Sequence, residues 1–352
     1  MAGPDGDAGS LRPVTLTDVA IRAGVSQPTA SRVLNGSARR PSPEIVERVR
    51  RAAVELGYTP NAQAQALARA STGLIGLVVH DIADPYFSVV ASGVQHVASA
   101  RGRQMLLAVS SRDPETELAC IESFVAYRTE TIVVVGSRST SPPALRAAER
   151  LADVTARYRR NGGRLVAIGQ SIPDADAIVP DNRGGSAALA DALVNRAGLR
   201  DFVVLAGPAE LVTAVDRTAG FVERLAAQGL TPRSVVPGDF TRDGGYGAAA
   251  RALADLAPTT ERPICLVAVN DVMAVGAMTA AREAGLAVPQ AVQIAGFDDI
   301  PTLRDVSPGL TTVRLPLREM GEWAVQLAFD EPAPHIRTAP TEVVLRASTR
   351  RE

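Results

Sequence analysis

The sequence contains no lysine; all 37 basic residues are arginine. Chemistry that needs a lysine amine, Schiff bases included, is therefore excluded. Two cysteines, Cys120 and Cys265, lie far apart in apolar contexts. Each reads as a buried free thiol, and their spacing offers no metal site. Three histidines occur, His80, His96 and His335, none beside an evident partner. There is no P-loop, no Gly-x-Ser-x-Gly elbow and no cluster of metal ligands. An enzyme on a doubly wound fold, such as a sugar kinase or a hydrolase, is left without its usual signatures. No apolar run approaches the length of a membrane span. The opening MAGPDGDAGS lacks the basic start and apolar core of a secretory signal. A disordered tail in a cytoplasmic protein is expected there.

What is present is enough for two or three domains: 352 residues, 46% of them hydrophobic. The net charge of −1 hides an asymmetry. Residues 11–70 carry nine arginines against the acids Asp18, Glu44, Glu47 and Glu55. A basic head on a mildly acidic body fits a nucleic-acid reader joined to a part that does not touch the polymer.

The head is organised around TLTDVAIRAGVSQPTASRVLN, from Thr15 to Asn35. Thr15 and Asp18 have the spacing of a capping box. Val19, Ala20 and Ala23 share one helical face, and Gly24 permits the turn that ends the helix. Ser26 caps a second helix with Pro28 in its first turn. Ala30, Val33 and Leu34 form its buried side, leaving Gln27, Thr29, Ser31 and Arg32 outward. Such a pair presents its second helix to the major groove. The Gln27 amide and the Arg32 fork suit base edges, and Ser26, Thr29 and Ser31 suit phosphate oxygens. A solvated helical hairpin would show the same polar face. Ser42, Pro43 and Glu44 then start a third helix, which stops at Gly57. Residues 62–70, AQAQALARA, are too short to be a stable helix alone, and hold one large apolar residue, Leu67. A linker that folds on DNA, or against a second copy of itself, would look like this.

From Leu74 the character changes. LIGLVV is a continuous apolar run, as in a strand covered on both faces. Strand and helix then alternate to the end, with the rhythm restarting after Asp181. That pattern predicts parallel sheets with helices on both faces, in two lobes of similar size. A helix near Leu317–Phe329 and a strand near Glu342–Leu345 could cross back to finish each lobe.

The segments TLTDVAIRAGVS, SRVLNGS, ELGYTPNAQAQALA, LIGLVV, DPYF, LAGP, FVERLAAQGL, VNDVMAVGAM, AGFDD and LTTVR resemble the LacI/GalR family of bacterial transcription regulators. The resemblance runs over nearly the whole chain. It implies an all-α helix-turn-helix headpiece followed by a two-lobed, doubly wound α/β effector domain like a periplasmic binding protein. The expected limits are a tail over 1–12, the headpiece over 13–60 and a hinge over 61–71. The first lobe is expected over 72–180 plus about 315–331, the second over 181–314 plus about 335–349. Gln27, Pro28 and Arg32 match the positions that meet base edges. Thr15, Asn35 and Asn61 complete the implied DNA-contact set. Leu67 matches the hinge leucine that wedges into the minor groove, unstacking one base step to bend the duplex. Pro28 departs from the amide found there in the family's namesake, so the half-site cannot be carried over.

In open parallel sheets ligands sit beyond the carboxyl ends of the strands. Asp81, Asn270-Asp271 and Asp298-Asp299 fall at such ends. Carboxylates and amides there can take the paired hydroxyls of a sugar, while Tyr86, Phe87 or Phe240 covers its apolar face. Asp271 could equally be the cap of the next helix. His80 precedes Asp81 and reads more simply as a partly buried polar residue. The resemblance favours Asp298, Asn270 and Arg217, the last expected to open a helix, as effector contacts. Leu211 stands where the purine-responsive member carries arginine, which speaks against a purine. Asp84-Pro85-Tyr86-Phe87 and Gly169-Gln170 also depart from the family pattern.

The expected protein is thus a cytoplasmic homodimer without cofactor or metal. It would bind a near-palindromic duplex operator under the control of a small effector, a sugar or sugar derivative. A soluble sugar-binding protein without DNA binding is the alternative; the basic head argues against it.

Overall fold

A computed structural model describes residue 12 and residues 14–35, 41–59, 72–330 and 335–349. The expected hinge, with Asn61 and Leu67, and the expected tail apart from Arg12 fall outside these residues. The chain divides into two units, Met1–Thr72 and Gly73–Glu352.

The first unit holds α1 (Leu16–Ala23), α2 (Gln27–Asn35) and α3 (Pro43–Glu55). Its capping box is formed: Asp18 N–H donates to Thr15 Oγ1 at 3.3 Å, and Thr15 N–H donates to Asp18 Oδ2 at 2.9 Å. Gly24 ends α1 at φ 64°, a conformation glycine adopts without steric penalty. Val19, Ala30 and Val49, one from each helix, are fully buried and form the centre of a small core. Ser42 stands at the start of α3, but its side chain makes no capping bond. The proline that follows it supplies the helical φ instead.

The second unit alternates strand and helix. The first part runs β1 (Leu74–Val79), α4 (Pro85–Ala100), β2 (Gln104–Val109), α5 (Pro114–Ala126), β3 (Thr131–Gly136), α6 (Pro142–Arg160), β4 (Arg164–Gly169) and β5 (Asp176–Pro180). The second part runs α7 (Asn182–Asp191), β6 (Phe202–Ala206), α8 (Val212–Ala227), β7 (Ser234–Pro237), α9 (Arg242–Leu256), β8 (Ile264–Ala268), α10 (Asp271–Glu283) and β9 (Val292–Ala295). β10 (Thr312–Arg314), α11 (Leu317–Asp330), β11 (Ile336–Ala339) and β12 (Glu342–Val344) close the fold.

Two sheets result. One has the order β11-β5-β4-β3-β1-β2 and the other β7-β6-β8-β9, every pairing parallel. The run Thr131–Gly136 is buried throughout, which is why it reads as apolar without alternation. β10 and β12 pair antiparallel beside the second sheet.

The late crossings complete the first sheet and form the β10-β12 pair. α11 packs on α4 so closely that a Cβ on Gly93 would lie 2.0 Å from the Arg318 carbonyl oxygen. A Cβ on Gly321 would lie 2.2 Å from that of Val90. β11 then pairs with β5, so residues 336–339 belong to the first sheet and not to the second lobe as expected. The physical reason is the open edge of β5. Ala177 N–H donates to the His335 carbonyl at 2.9 Å, and Asp176 Oδ1 accepts His335 N–H at 2.8 Å. Only after Ala339 does the chain return: β12 joins β10, and Ser348 Oγ donates to the Ile294 carbonyl at 2.6 Å. Among the described residues no helix is long and apolar enough to cross a membrane.

Candidate functional site

In the head, Gln27, Pro28 and Arg32 are exposed along α2 while Ala30 is fully buried beneath them. Ser26 caps the helix: Thr29 N–H donates to Ser26 Oγ at 3.3 Å, and the two hydroxyls lie 2.8 Å apart. Ser31 is half-buried, and Asn35 is the last residue of α2. Arg12 and Arg22 are held by Asp18 and Glu55, whereas no carboxylate among the described residues pairs with Arg32. Such a guanidinium beside an exposed amide, on a helix fixed from behind, can fork onto a base edge. Thr15 has a structural task already, since its hydroxyl and N–H both engage Asp18.

In the second unit, Tyr86, Phe87, Arg217, Phe240, Asn270 and Asp298 line one cleft, at the carboxyl ends of strands from both sheets. Sequence expectation brought six of its seven effector residues together there. Asp81 is the exception. It is exposed, and its Oδ1 accepts Ala83 N–H at 2.8 Å to shape the β1–α4 turn. The acid after β1 that lines the cleft is Asp84, three residues on, which caps α4 by accepting Tyr86 N–H at 3.0 Å. Burial raises the pKa of its carboxyl above the usual range.

Arg217 is the hub. It lies inside α8 rather than opening it, because the helix starts at Val212. Its Nε donates to Asn182 Oδ1 at 2.8 Å, and its Nη1 to the Val269 carbonyl at 2.8 Å. Its Nη2 lies 2.9 Å from Asp298 Oδ1, and the guanidinium stacks 3.8 Å from the Phe297 ring centre. This buried Asp298 oxygen is therefore held by Arg217 in a charge-assisted contact. Asp298 also holds φ at 120°, a costly conformation for a residue with a Cβ. Burial pushes its carboxyl up to about 6, against the pull of Arg217.

The paired residues after β8 divide their work in a way the sequence leaves open. Asn270, not Asp271, caps α10, its Oδ1 accepting Met273 N–H at 2.9 Å. Its amide nitrogen is left for the cleft. Asp271 is fully buried behind, with Thr312 Oγ1 at 2.6 Å and Ile300 N–H at 3.0 Å. Burial first, and then Asp298, push its carboxyl up to about 8.

Arg112, Ser137, Asn182 and Thr213 also line the cleft and escaped the sequence reading. Asn182 follows β5, a strand of five residues that carries no clear sequence signal. His80 is buried against Glu117, 3.5 Å away, and burial lowers its pKa. Among the described residues no group of His, Cys, Asp or Glu is placed to hold a metal ion.

A helix-turn-helix head and a two-sheet body with a polar cleft at its strand ends together define a DNA-binding regulator with a ligand-sensing body. The sequence pattern described as "Bacterial regulatory proteins, lacI family" matches residues 15–61, and "Periplasmic binding protein-like domain" matches residues 190–349. The chain is 32% identical to the HTH-type transcriptional regulator GalS of Salmonella typhimurium, over 96% of each protein. It is 33% identical to the HTH-type transcriptional repressor PurR of Erwinia tasmaniensis, over 90% of this chain and 89% of that one. A lac repressor dimer bound to operator and the anti-inducer ONPF is 26% identical, with a TM-score of 0.81, covering 97% of this chain and 100% of the other. A transcriptional regulator CelR–cellobiose complex is 27% identical, with a TM-score of 0.65, over 96% of this chain and 100% of that one. The chain belongs to the LacI family of bacterial regulatory proteins and is a transcriptional regulator.

Proposed function

We propose that this regulator acts in the cytoplasm as a homodimer that represses by binding a near-palindromic operator, and that a sugar or sugar derivative in the cleft sets its affinity. Two-fold protein symmetry would match two half-sites. In each half-site Gln27, Pro28 and Arg32 meet base edges. Ser26, Thr29, Ser31, Thr15, Asn35 and Asn61 meet the backbone, and Leu67 of the 61–71 hinge wedges between central base pairs. The exposure of Arg32, with no ionic partner among the described residues, supports the first assignment, and the composition of the hinge supports the last.

One observation carries the effector reading. Asp298 brings a buried carboxylate into the cleft lining, with one oxygen paired to Arg217. A carboxylate so placed can accept a hydrogen bond from the ligand, and a sugar hydroxyl supplies one. Asn270 and Asn182 offer further polar groups, while Tyr86, Phe87 and Phe240 give the apolar faces that a pyranose ring needs. The regulators in the neighbouring structures hold ONPF and cellobiose in complexes of the same fold. Leu211, in the same cleft wall, places no charge toward a purine.

The test is a calorimetric screen of monosaccharides, disaccharides and nucleobases on the full chain, followed by selection of duplexes from a random library. A sugar that binds wild type, binds at least tenfold more weakly to Asp298→Asn, and changes the affinity for a selected near-palindrome would support the reading. Binding of nucleobases alone would remove the sugar assignment.

A further inference from the structure

A second chamber of about 290 Å³ opens on the first-lobe side of the cleft, against about 40 Å³ for the cleft itself. Its walls come from α5 and α6 and from the loop after β4. Ala144, Leu145, Ala147, Leu151, Leu118 and Ile172 make them mainly apolar. Alanines on α6 leave room that larger side chains would take, and Leu145 stands 55% exposed at the rim. At the inner end sits a buried ion network. Arg138 grips both oxygens of Glu117, and His80 lies against the same carboxylate. Glu117 is held down to about 2, where His80 and Arg138 outweigh the cost of burial. That carboxylate is therefore already neutralised. Arg112 reaches the same space. It donates to the Phe240 carbonyl at 3.1 Å, and no carboxylate among the described residues lies within ion-pair distance of it. Asp113, at the rim, spends one oxygen on the first turn of α5, accepting Thr116 N–H at 2.8 Å.

We propose that this chamber is a second ligand site, for a small monocarboxylate with a compact apolar body whose anionic end meets Arg112. The charge argument is complementarity: Arg112, with no carboxylate among the described residues within ion-pair distance, lines a mainly apolar chamber. The size argument is a comparison. A cavity of about 150 Å³ lined by apolar side chains takes a benzene ring. This one has roughly twice that volume, suited to a body of about ten to twelve heavy atoms.

The site is coupled to the cleft. His80, Arg112, Ser137 and Leu211 line both spaces. The second lobe closes one side with Leu211 and Val212, which bond to the loop after β3: Val212 N–H donates to the Arg138 carbonyl at 3.0 Å. Thr213 N–H donates to Ser137 Oγ at 3.1 Å. A ligand bound there favours the arrangement that forms that wall, so it alters cleft affinity, and the cleft ligand alters its affinity by the same factor.

The test is titration of the full chain with cinnamate, octanoate and cinnamamide by calorimetry. Crystals grown with 4-bromocinnamate would then locate the bromine by anomalous scattering. At least one acid should bind, tenfold or more tightly than the neutral amide. The bromine should lie between α5 and α6. Ala147→Leu fills the chamber and should weaken binding at least tenfold; Ala148→Phe, at an exposed wall position, gives the same readout should the buried substitution fail to fold. Absence of binding by either acid, equal binding of acid and amide, or a bromine in the cleft overturns the proposal. Operator and sugar binding are measured separately, so loss of the sugar reading leaves this result interpretable.

Discussion

The head and the cleft handle functional arginines in opposite ways. Arg32 is exposed on α2 with no ionic partner among the described residues, while the helix beneath it is fixed by Ala30 and the small core. Arg217 is 4% exposed, and its guanidinium is engaged by Asn182, Val269, Asp298 and the Phe297 ring. An exposed guanidinium costs the free protein little and gains its contacts when the polymer arrives. A buried one must be compensated inside the fold before any ligand comes, because desolvation alone would be prohibitive. The head is therefore a rigid support with idle chemistry. The cleft is an ion network, with the paired Asp298 carboxylate in its lining.

The largest expected effect breaks that network. Arg217→Ala leaves the Asp298 charge buried without its counterion, which for such pairs costs about 3–5 kcal/mol. Urea unfolding of the body should show that loss, while amide exchange in α1–α3 stays unchanged. A stability equal to wild type would mean Asp298 simply takes up a proton, and the comparison would lose its basis. A pH series sharpens the same point. Asp271 is raised from 3.8 to about 8 and Asp298 to about 6, so the folded body holds these protons more tightly than the unfolded chain does. Their contribution is greatest below about pH 4 and is lost as pH rises towards 8. The melting temperature of the body should therefore fall between pH 5 and 8. Asp271→Asn, neutral throughout and able to keep both hydrogen bonds, should flatten most of that slope. A slope unchanged by this substitution would place the titration elsewhere.

The head should respond in the other sense. Arg32→Ala removes an exposed side chain, so folding should change by less than about 0.5 kcal/mol. Discrimination against wrong half-sites should fall by roughly 1–3 kcal/mol, tenfold or more in relative affinity. Competition between selected and scrambled duplexes measures it. Specificity that survives would show that Arg32 is not the reader, and that its exposure is only that of a solvated face.

Much of the fold is legible in the sequence. The head is local: a capping box, Gly24 and a capped proline helix are each written within a few residues, so helix limits follow from spacing. The parallel sheets are legible as apolar runs separated by helical periods. What escapes is set by tertiary pairing. β5 and β11 are short, and Ile336 of β11 is 63% exposed, so neither carries an apolar run. Missing β5 hides Asn182 at its end, and missing β11 shifts the return of the chain to the second lobe. The exchange of Asp81 for Asp84 has a similar cause. Both acids follow the same strand, and only the start of α4 at Pro85 decides which one caps the helix and lines the cleft. Arg112 sits in a turn where both it and Ser111 have positive φ, a geometry no residue type in that stretch announces.

The smallest expected effect separates support from contact within the head itself. Thr15 was expected to meet DNA, yet its N–H and hydroxyl are both spent on Asp18. If its task is the cap, Thr15→Ala should cost about 1 kcal/mol of head stability, and Thr15→Ser should restore most of it. The acid limb gives an independent reading. Hydrogen bonds from Thr15, backbone and then side chain, followed by Arg12, hold Asp18 below its usual 3.8. That contribution is present above pH 3.8 and lost as pH falls through the lowered value. Thr15→Ala should shrink this acid dependence in amide exchange of α1, since a donor that lowers the pKa is gone. A different pattern would point to contact: operator affinity reduced equally in Thr15→Ala and Thr15→Ser, with the exchange rates of α1 unmoved. Under that outcome the head would no longer divide cleanly into residues that hold α2 in place and residues that read DNA, and the contrast with the cleft would narrow to the burial of its arginine.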